Sequence, residues 1–243
     1  MKELWKYLII GCSVIISVIV LSFAITYYGR AKDTIAVTGL GETTFTSDMI
    51  VWEGHISVDS SDKLSGYKQI ETNQQKVANY LERNGISNTE VKWSFVNSSK
   101  NFNSVYNDNG NYVGSRFVGY HFSQSFTVTS QNVDNVERVS REISSLISQN
   151  VDIDSYTPEY YYTKLEDLKL DLIQKASKDA HARAKNIVDN AGARLGKATS
   201  ARMGVFQITS STGDEEYSYG GTFNTSSKEK KARITVRMEY KLK

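Results

Sequence analysis

Residues 231–242, KARITVRMEYKL, alternate without a break. Ala232, Ile234, Val236, Met238, Tyr240 and Leu242 fall on one side of an extended chain, and Arg233, Thr235, Arg237, Glu239 and Lys241 on the other. A period of two held over this length describes a strand with one face in a core and one in water, which antiparallel sheets accept and parallel sheets rarely do. Upstream, residues 165–192 switch to helical spacing. Leu165, Leu168, Leu172, Ala176, Ala180, Ala184 and Ile187 form one stripe, and Gly192 supplies a left-handed stop. Alanines in that stripe let a helix approach a sheet closely. Thr163 and Glu166 make a capping-box pattern at its start.

The same two periods alternate through the rest of the chain. Residues 34–38 read as a short strand closed by Gly39-Leu40-Gly41, and a long strand follows with Ile50, Trp52, Gly54, Ile56 and Val58 on one face. Residues 62–84 read as a helix through Leu64, Tyr67, Ile70, Gln74, Val77 and Leu81, capped by Ser61 or Asp62 and stopped by Gly85. A strand over 90–97, a polar hairpin loop over 98–111 and a strand over 112–129 come next. The last of these gathers Val118, Tyr120, Phe122, Phe126 and Val128 on one side. Asn132 caps a second helix using Val133, Val136, Val139, Ile143, Leu146 and Ile147, and residues 152–162 form a tyrosine-rich strand. The closing strands are 198–209 and 231–242, joined by a long polar segment, 210–230. The order ββαββαβαββ predicts an α+β fold, antiparallel sheets with helices packed on one face.

At the other end, residues 8–27 (LIIGCSVIISVIVLSFAITY) contain no charged side chain. Twenty residues at ~1.5 Å each match the ~30 Å hydrocarbon of a bilayer. The reading is one N-terminal transmembrane helix over 1–30, with a folded part over 31–243 formed as one large domain or two joined units. Three alternatives compete. Ser22-Phe23-Ala24 resembles a signal cleavage site, although the apolar core exceeds the usual ~7–15 residues. Ile9-Ile10-Gly11-Cys12 resembles an acylation box with too short an apolar run before it. A buried core helix is the third, disfavoured because the segment is apolar on every face and lies at the terminus. Localisation follows as a single-pass cell-membrane protein with its domain extracytoplasmic, or a secreted or periplasmic one after cleavage. The only cysteine, Cys12, lies in the apolar run, so the exported part has no disulfide or thiol chemistry. A net charge of +2 gives no case for nucleic acid.

Two stretches resemble the SIMPL-domain family. Ile35-Ala36-Val37-Thr38-Gly39-Leu40-Gly41 is similar to its I-x-V-x-G-x-G opening. Residues 175–196, KASKDAHARAKNIVDNAGARLG, resemble its A-x3-A-x2-[RK]-A…A-x-x-x-G-x-x-LG signature, and the final strand fits as well. The resemblance implies an exported, non-catalytic α+β domain, homo-oligomeric assembly into a hollow ring, and a link to oxidative-stress defence. It carries no agreed molecular activity. The chain departs from the family in its anchor-like start, and in Ser226-Ser227-Lys228-Glu229-Lys230 where a Pro-Gly turn would precede the last strand.

No spacing in the chain brings catalytic groups together. His55, His121 and His181 are far apart and form no H-x-H, H-E-x-x-H or C-x-x-C pattern, so neither metal nor cofactor is expected. His55 and His121 meeting across neighbouring strands near Glu53 is the one hydrolase reading. Carboxylate groups at Glu166/Asp167 and Asp214/Glu215/Glu216 fit a helix start and a solvated loop. Tyr156, Tyr160-Tyr161-Tyr162, Tyr217 and Tyr219 are the aromatic clusters, read as core and rim or as a subunit contact. Tyr156, Tyr160, Tyr162, Trp52 and Trp93 are therefore the candidate interface or ligand-contact residues. A receptor reading would line a pocket with Trp52, Trp93, Phe95 and the tyrosines. The Arg233/Arg237/Lys241 row reads as a solvated face that discourages edge pairing, or as a surface for anionic lipid.

Overall fold

A computed structural model describes residues 2–30, 33–212, 218 and 220–243. The 214–216 carboxylates, Tyr217 and Tyr219 lie outside the described residues. The elements are α1 (Lys2–Arg30), β1 (Thr34–Thr46), β2 (Met49–Ser60), α2 (Lys63–Arg83), β3 (Val91–Trp93), β4 (Asn97–Tyr106), β5 (Tyr112–Ser130), α3 (Val133–Glu142), a 3-10 turn (Ile143–Gln149), β6 (Asp152–Ser155), β7 (Glu159–Tyr161), α4 (Leu165–Asn190), β8 (Leu195–Met203), β9 (Gln207–Ser210) and β10 (Glu229–Leu242). The α+β class with antiparallel sheets stands. The chain forms two compact units, residues 1–43, 168–206 and 233–243 in one and 44–167 and 207–232 in the other.

In the first unit β10 lies between β1 and β8, with β10 and β8 antiparallel. Val236 and Tyr240 of β10 are buried, as the alternation in this strand requires. The α4 stripe is Leu172, Ala176, Ala180, Ala184 and Val188. Ile187 is not part of it: a helix turns 100° per residue, and the drift over four turns hands the last inward position to Val188. Among the described residues no helix is long and apolar enough to cross a membrane. The uninterrupted run of described side chains in α1, residues 11–27, rises roughly 25 Å.

In the second unit, β2 is the centre of a six-stranded sheet. β5 pairs along it from Ile50↔Ser130 to Ser60↔Tyr120, while β6 and β7 pair on its other side. Ile50, Trp52, Ile56, Phe122, Phe126 and Val128 project to one face and are buried against Ile70, Val77 and Leu81 of α2 and Val136 and Val139 of α3. Each such side chain contributes about 1.5–3 kcal/mol by leaving water. Asp62 caps α2 by accepting the Ser65 N–H at 2.8 Å. Leu64, Tyr67 and Ile147 are exposed, beyond the buried edge of their helical faces.

Four sequence expectations about these elements are corrected. The 98–111 loop is mostly strand: β4 and the start of β5 form a long hairpin, and only residues 107–111 turn. Asn107 makes that turn, its Oδ1 accepting the Asn109 and Asn111 N–H groups. The 152–162 and 198–209 strands are each broken in two, at Pro158 and at residues 204–206, so the order after α1 is ββαβββαββαβββ. Pro158 has no N–H to give the ladder. The capping box does not form, because Thr163 turns instead to Asp48, donating N–H and Oγ1 to its two carboxylate oxygens at 2.7 Å.

Candidate functional site

Two features of the second unit stand out, a cleft beside the β6–β7 bend and the face of the projecting hairpin. The cleft exists because Pro158 takes residues 156–158 out of the ladder. Tyr156 keeps one bond, its N–H to Glu53 O at 3.0 Å, and Tyr160 returns to register opposite Ile50 while its N–H goes to Thr225 O at 2.7 Å. Glu137, Ser140 and Arg141 of α3, Ser155 to Pro158, Tyr160 and Ser226 then enclose about 440 Å³.

Glu137 is the hub of this cleft. Arg141 Nη2 donates to its Oε1 at 2.5 Å, and Lys228 Nζ reaches its Oε2 at 3.4 Å while also donating to Asp134. Burial first, and the Glu137 carboxylate second, push the Tyr160 phenol above its ordinary value, so it stays neutral at physiological pH. Ser155 is equally committed: its Oγ accepts Trp52 Nε1 at 3.0 Å and donates to Ser140 O at 2.7 Å. Ser155 and Glu137 are thus both engaged with neighbouring groups in this lining.

The sequence-predicted residues therefore separate. Tyr156 and Tyr160 line the cleft. Tyr162 does not, its ring tilting against Phe45 at 4.7 Å. Trp52 and Trp93 are packing residues: Trp52 is fully buried edge-on to Phe126 at 5.4 Å, and Trp93 tilts onto the same ring at 5.1 Å. Phe95 is exposed on its own. Of the residues named for the receptor reading, the two tryptophans are thus spent on Phe126, and Tyr156 and Tyr160 are at the cleft. The imidazoles do not meet either. His55 pairs with Ser125 at 3.2 Å and His121 with Asp59 at 2.8 Å, four rungs apart along β2, roughly 13 Å. His181 stacks edge-on to Tyr240 at 5.7 Å. Among the described residues no three His, Cys, Asp or Glu side chains converge as metal ligands would.

The β4 strand of this hairpin, with the rings it pairs, is the feature that sequence reasoning missed. All ten residues of β4 are exposed, and among the described residues β4 pairs only with β5. The register sets Phe102 opposite Phe117 and Tyr106 opposite Tyr112, with edge-on ring pairs at 5.7 and 6.0 Å. All four rings stay open to solvent despite these contacts. The signal was present in Val105-Tyr106 and Tyr112-Val113 flanking an Asn-Gly turn, a hairpin pattern masked by the surrounding asparagines and serines.

Comparison with curated proteins gives no match. Comparison with protein families matches residues 35–240 to SIMPL, protein of unknown function (DUF541). That span runs from within β1 to within β10 and takes in both motifs that carried the resemblance, and the chain belongs to the SIMPL family.

Proposed function

We propose that this chain is a cell-envelope protein, held in a membrane by α1, whose folded part works outside the cytoplasm by assembling with copies of itself and not by catalysis. The observation that carries the assembly is the open aromatic face of the β4–β5 hairpin, Phe102, Phe117, Tyr106 and Tyr112, on an edge strand without a strand partner on its outer side among the described residues. Proteins shield or charge such edges, and β4 does neither: Lys100 is its only charge. A second copy can cover the rings and extend the ladder at once. Membrane attachment is supported by the uncharged run 8–27, helical throughout, with Val14, Ile15, Ile16, Val18, Val20, Leu21 and Phe23 more than half exposed. Envelope stress protection is the setting that the family resemblance suggests.

Light scattering on the full chain in detergent tests the assembly. An oligomer that falls to a monomer in F102S/Y106S/Y112S/F117S supports it, and a monomeric wild type at high concentration overturns it. Protease accessibility on intact cells, with the mass of the mature N-terminus, tests anchor and orientation together. A second reading, capture of a small polar or aromatic ligand, is favoured by the Tyr156–Tyr160 cleft. It predicts that Tyr156→Ala abolishes binding without changing the oligomer.

A further inference from the structure

The strands of the first unit place two arginines directly across from each other. Arg237 of β10 is the register partner of Arg202 of β8, so both side chains leave the sheet on the same face. Like charges in that relation destabilise a sheet, and an acidic partner is the stabilising choice. Both residues are exposed, and among the described residues neither guanidinium has an ion-pair or hydrogen-bond partner. The nearby carboxylate does not neutralise them. Glu239 Oε1 accepts the Thr34 hydroxyl at 2.8 Å, and no ion pair joins Glu239 to either arginine. The two arginines, Glu239 and the small residues Ala36 and Ser200 line a recess of about 330 Å³. Two long side chains beside two short ones leave room for a guest on a sheet face that would otherwise be flat.

We propose that this recess is an oxyanion site that takes a phosphate group between the Arg202 and Arg237 forks. Each guanidinium offers planar, paired N–H donors that match adjacent oxygens of a phosphate, and together they supply the charge that a monoester or diester brings. A phosphate between them offsets the repulsion of the opposed pair. Glu239 at the rim sets the class of guest. Its charge disfavours polyphosphates and nucleic acid and admits one phosphate whose substituent is neutral, hydroxylated or cationic. A soluble phosphate ester and a phospholipid headgroup share that chemistry. The site lies within one unit and does not rest on how the chain is anchored or assembled.

Calorimetric titration of the full chain in a non-ionic detergent tests the proposal, with inorganic phosphate and then dihexanoyl-phosphatidylglycerol as probes at constant ionic strength. Saturable phosphate binding is expected, competed by sulfate and not by chloride. Arg202→Gln and Arg237→Gln each weaken it about tenfold, the loss of one charge-assisted pair, and R202Q/R237Q removes it. Arg237→Lys, which keeps the charge and loses the fork, weakens it less than Arg237→Gln. Competition by the short-chain lipid identifies a headgroup as the source, and phosphate binding without it identifies a soluble ester. The control Lys92→Gln, in the other unit, leaves binding unchanged. Absence of saturable phosphate binding, or binding that survives in R202Q/R237Q, overturns the site. A melting temperature that is held or raised in the glutamine variants separates lost binding from lost fold.

Discussion

Asp179 of α4 takes the backbone N–H of Leu40 in β1 through Oδ2 at 2.8 Å, between the two glycines of Gly39-Leu40-Gly41. This bond joins the two stretches that carry the family resemblance. A Cβ on Gly39 would lie 2.1 Å from Ala176 O and 2.4 Å from Ala180 N, and one on Gly41 would lie 2.2 Å from Leu172 O. The strand therefore rests its backbone directly on the alanine stripe, and Asp179 fastens it there. The glycines, the alanines and the aspartate are one contact seen from two ends of the sequence.

Gly39→Ala tests that contact. The added methyl meets helix backbone, which cannot swing aside as a side chain would, so the helix or the strand must shift. A loss of about 3 kcal/mol is expected, the upper end of the usual cost of overpacking. Denaturation followed by circular dichroism measures it, and Thr38→Ser, a conservative change at the exposed neighbouring position, serves as the reference.

Asp179→Asn tests the fastening and gives it a pH signature. The Leu40 N–H first, and Arg183 Nε at 2.8 Å second, hold the Asp179 carboxyl below its ordinary value of 3.8. A carboxyl depressed in the fold contributes stability above its unfolded value, and that stability is lost as pH falls through the lower, folded value. Asparagine can still accept from Leu40 but carries no charge, so a cost of about 1 kcal/mol is expected at pH 7. Melting curves of the two proteins should converge only below about pH 4, when wild-type Asp179 is protonated as well.

How much of this was legible in the sequence depends on which force decides each element. The β2, β5, β10 and α4 faces followed from hydrophobic period because burial decides them: Ile50 to Ile56, Phe122 to Val128 and Ala176 to Ala184 are where alternation and helical spacing place them. The β4 strand was read as loop because it buries nothing; its ladder is held by backbone bonds to β5 and by ring pairs, which leave no apolar period. Thr163 was misread because a capping box and a long-range bond to Asp48 compete for the same hydroxyl, and spacing within a chain cannot weigh a partner 115 residues away. Of the candidate contacts, tyrosine clustering led to Tyr156 and Tyr160, but aromatic character alone could not separate them from Trp52 and Trp93, which fill the core. The Arg202–Arg237 opposition needed the register of two strands that the sequence holds far apart.

Lys228 offers a second pH test, of opposite sign. Its hydrogen bond to Asp134 first, then that to Glu137, raises its value above the ordinary 10.5, against some loss from burial. A cation favoured in the fold stabilises fully below its unfolded value, and that contribution disappears as pH rises through the higher, folded value. Lys228→Met should cost about 1 kcal/mol at pH 7, consistent with a partly sheltered network of two carboxylates. The difference in melting temperature from wild type should hold up to about pH 10 and shrink above it. A gap unchanged at pH 11 would assign the loss to packing of the lysine stem instead.

Arg202→Glu separates stability from binding on the outer face of the first unit. The change sets a glutamate opposite Arg237, converting a like-charge cross-strand pair into an opposite-charge one. Such pairs differ by about 0.5–1 kcal/mol in sheets, so the variant should unfold at higher denaturant than wild type in low salt. Because both side chains are exposed, 0.5 M salt should erase most of the gain by screening charges beyond roughly 4 Å. The same variant should bind no inorganic phosphate. A protein made more stable by the loss of its arginine would show that Arg202 is kept for what it holds and not for the fold, whereas a destabilised variant would show that the arginine supports the sheet.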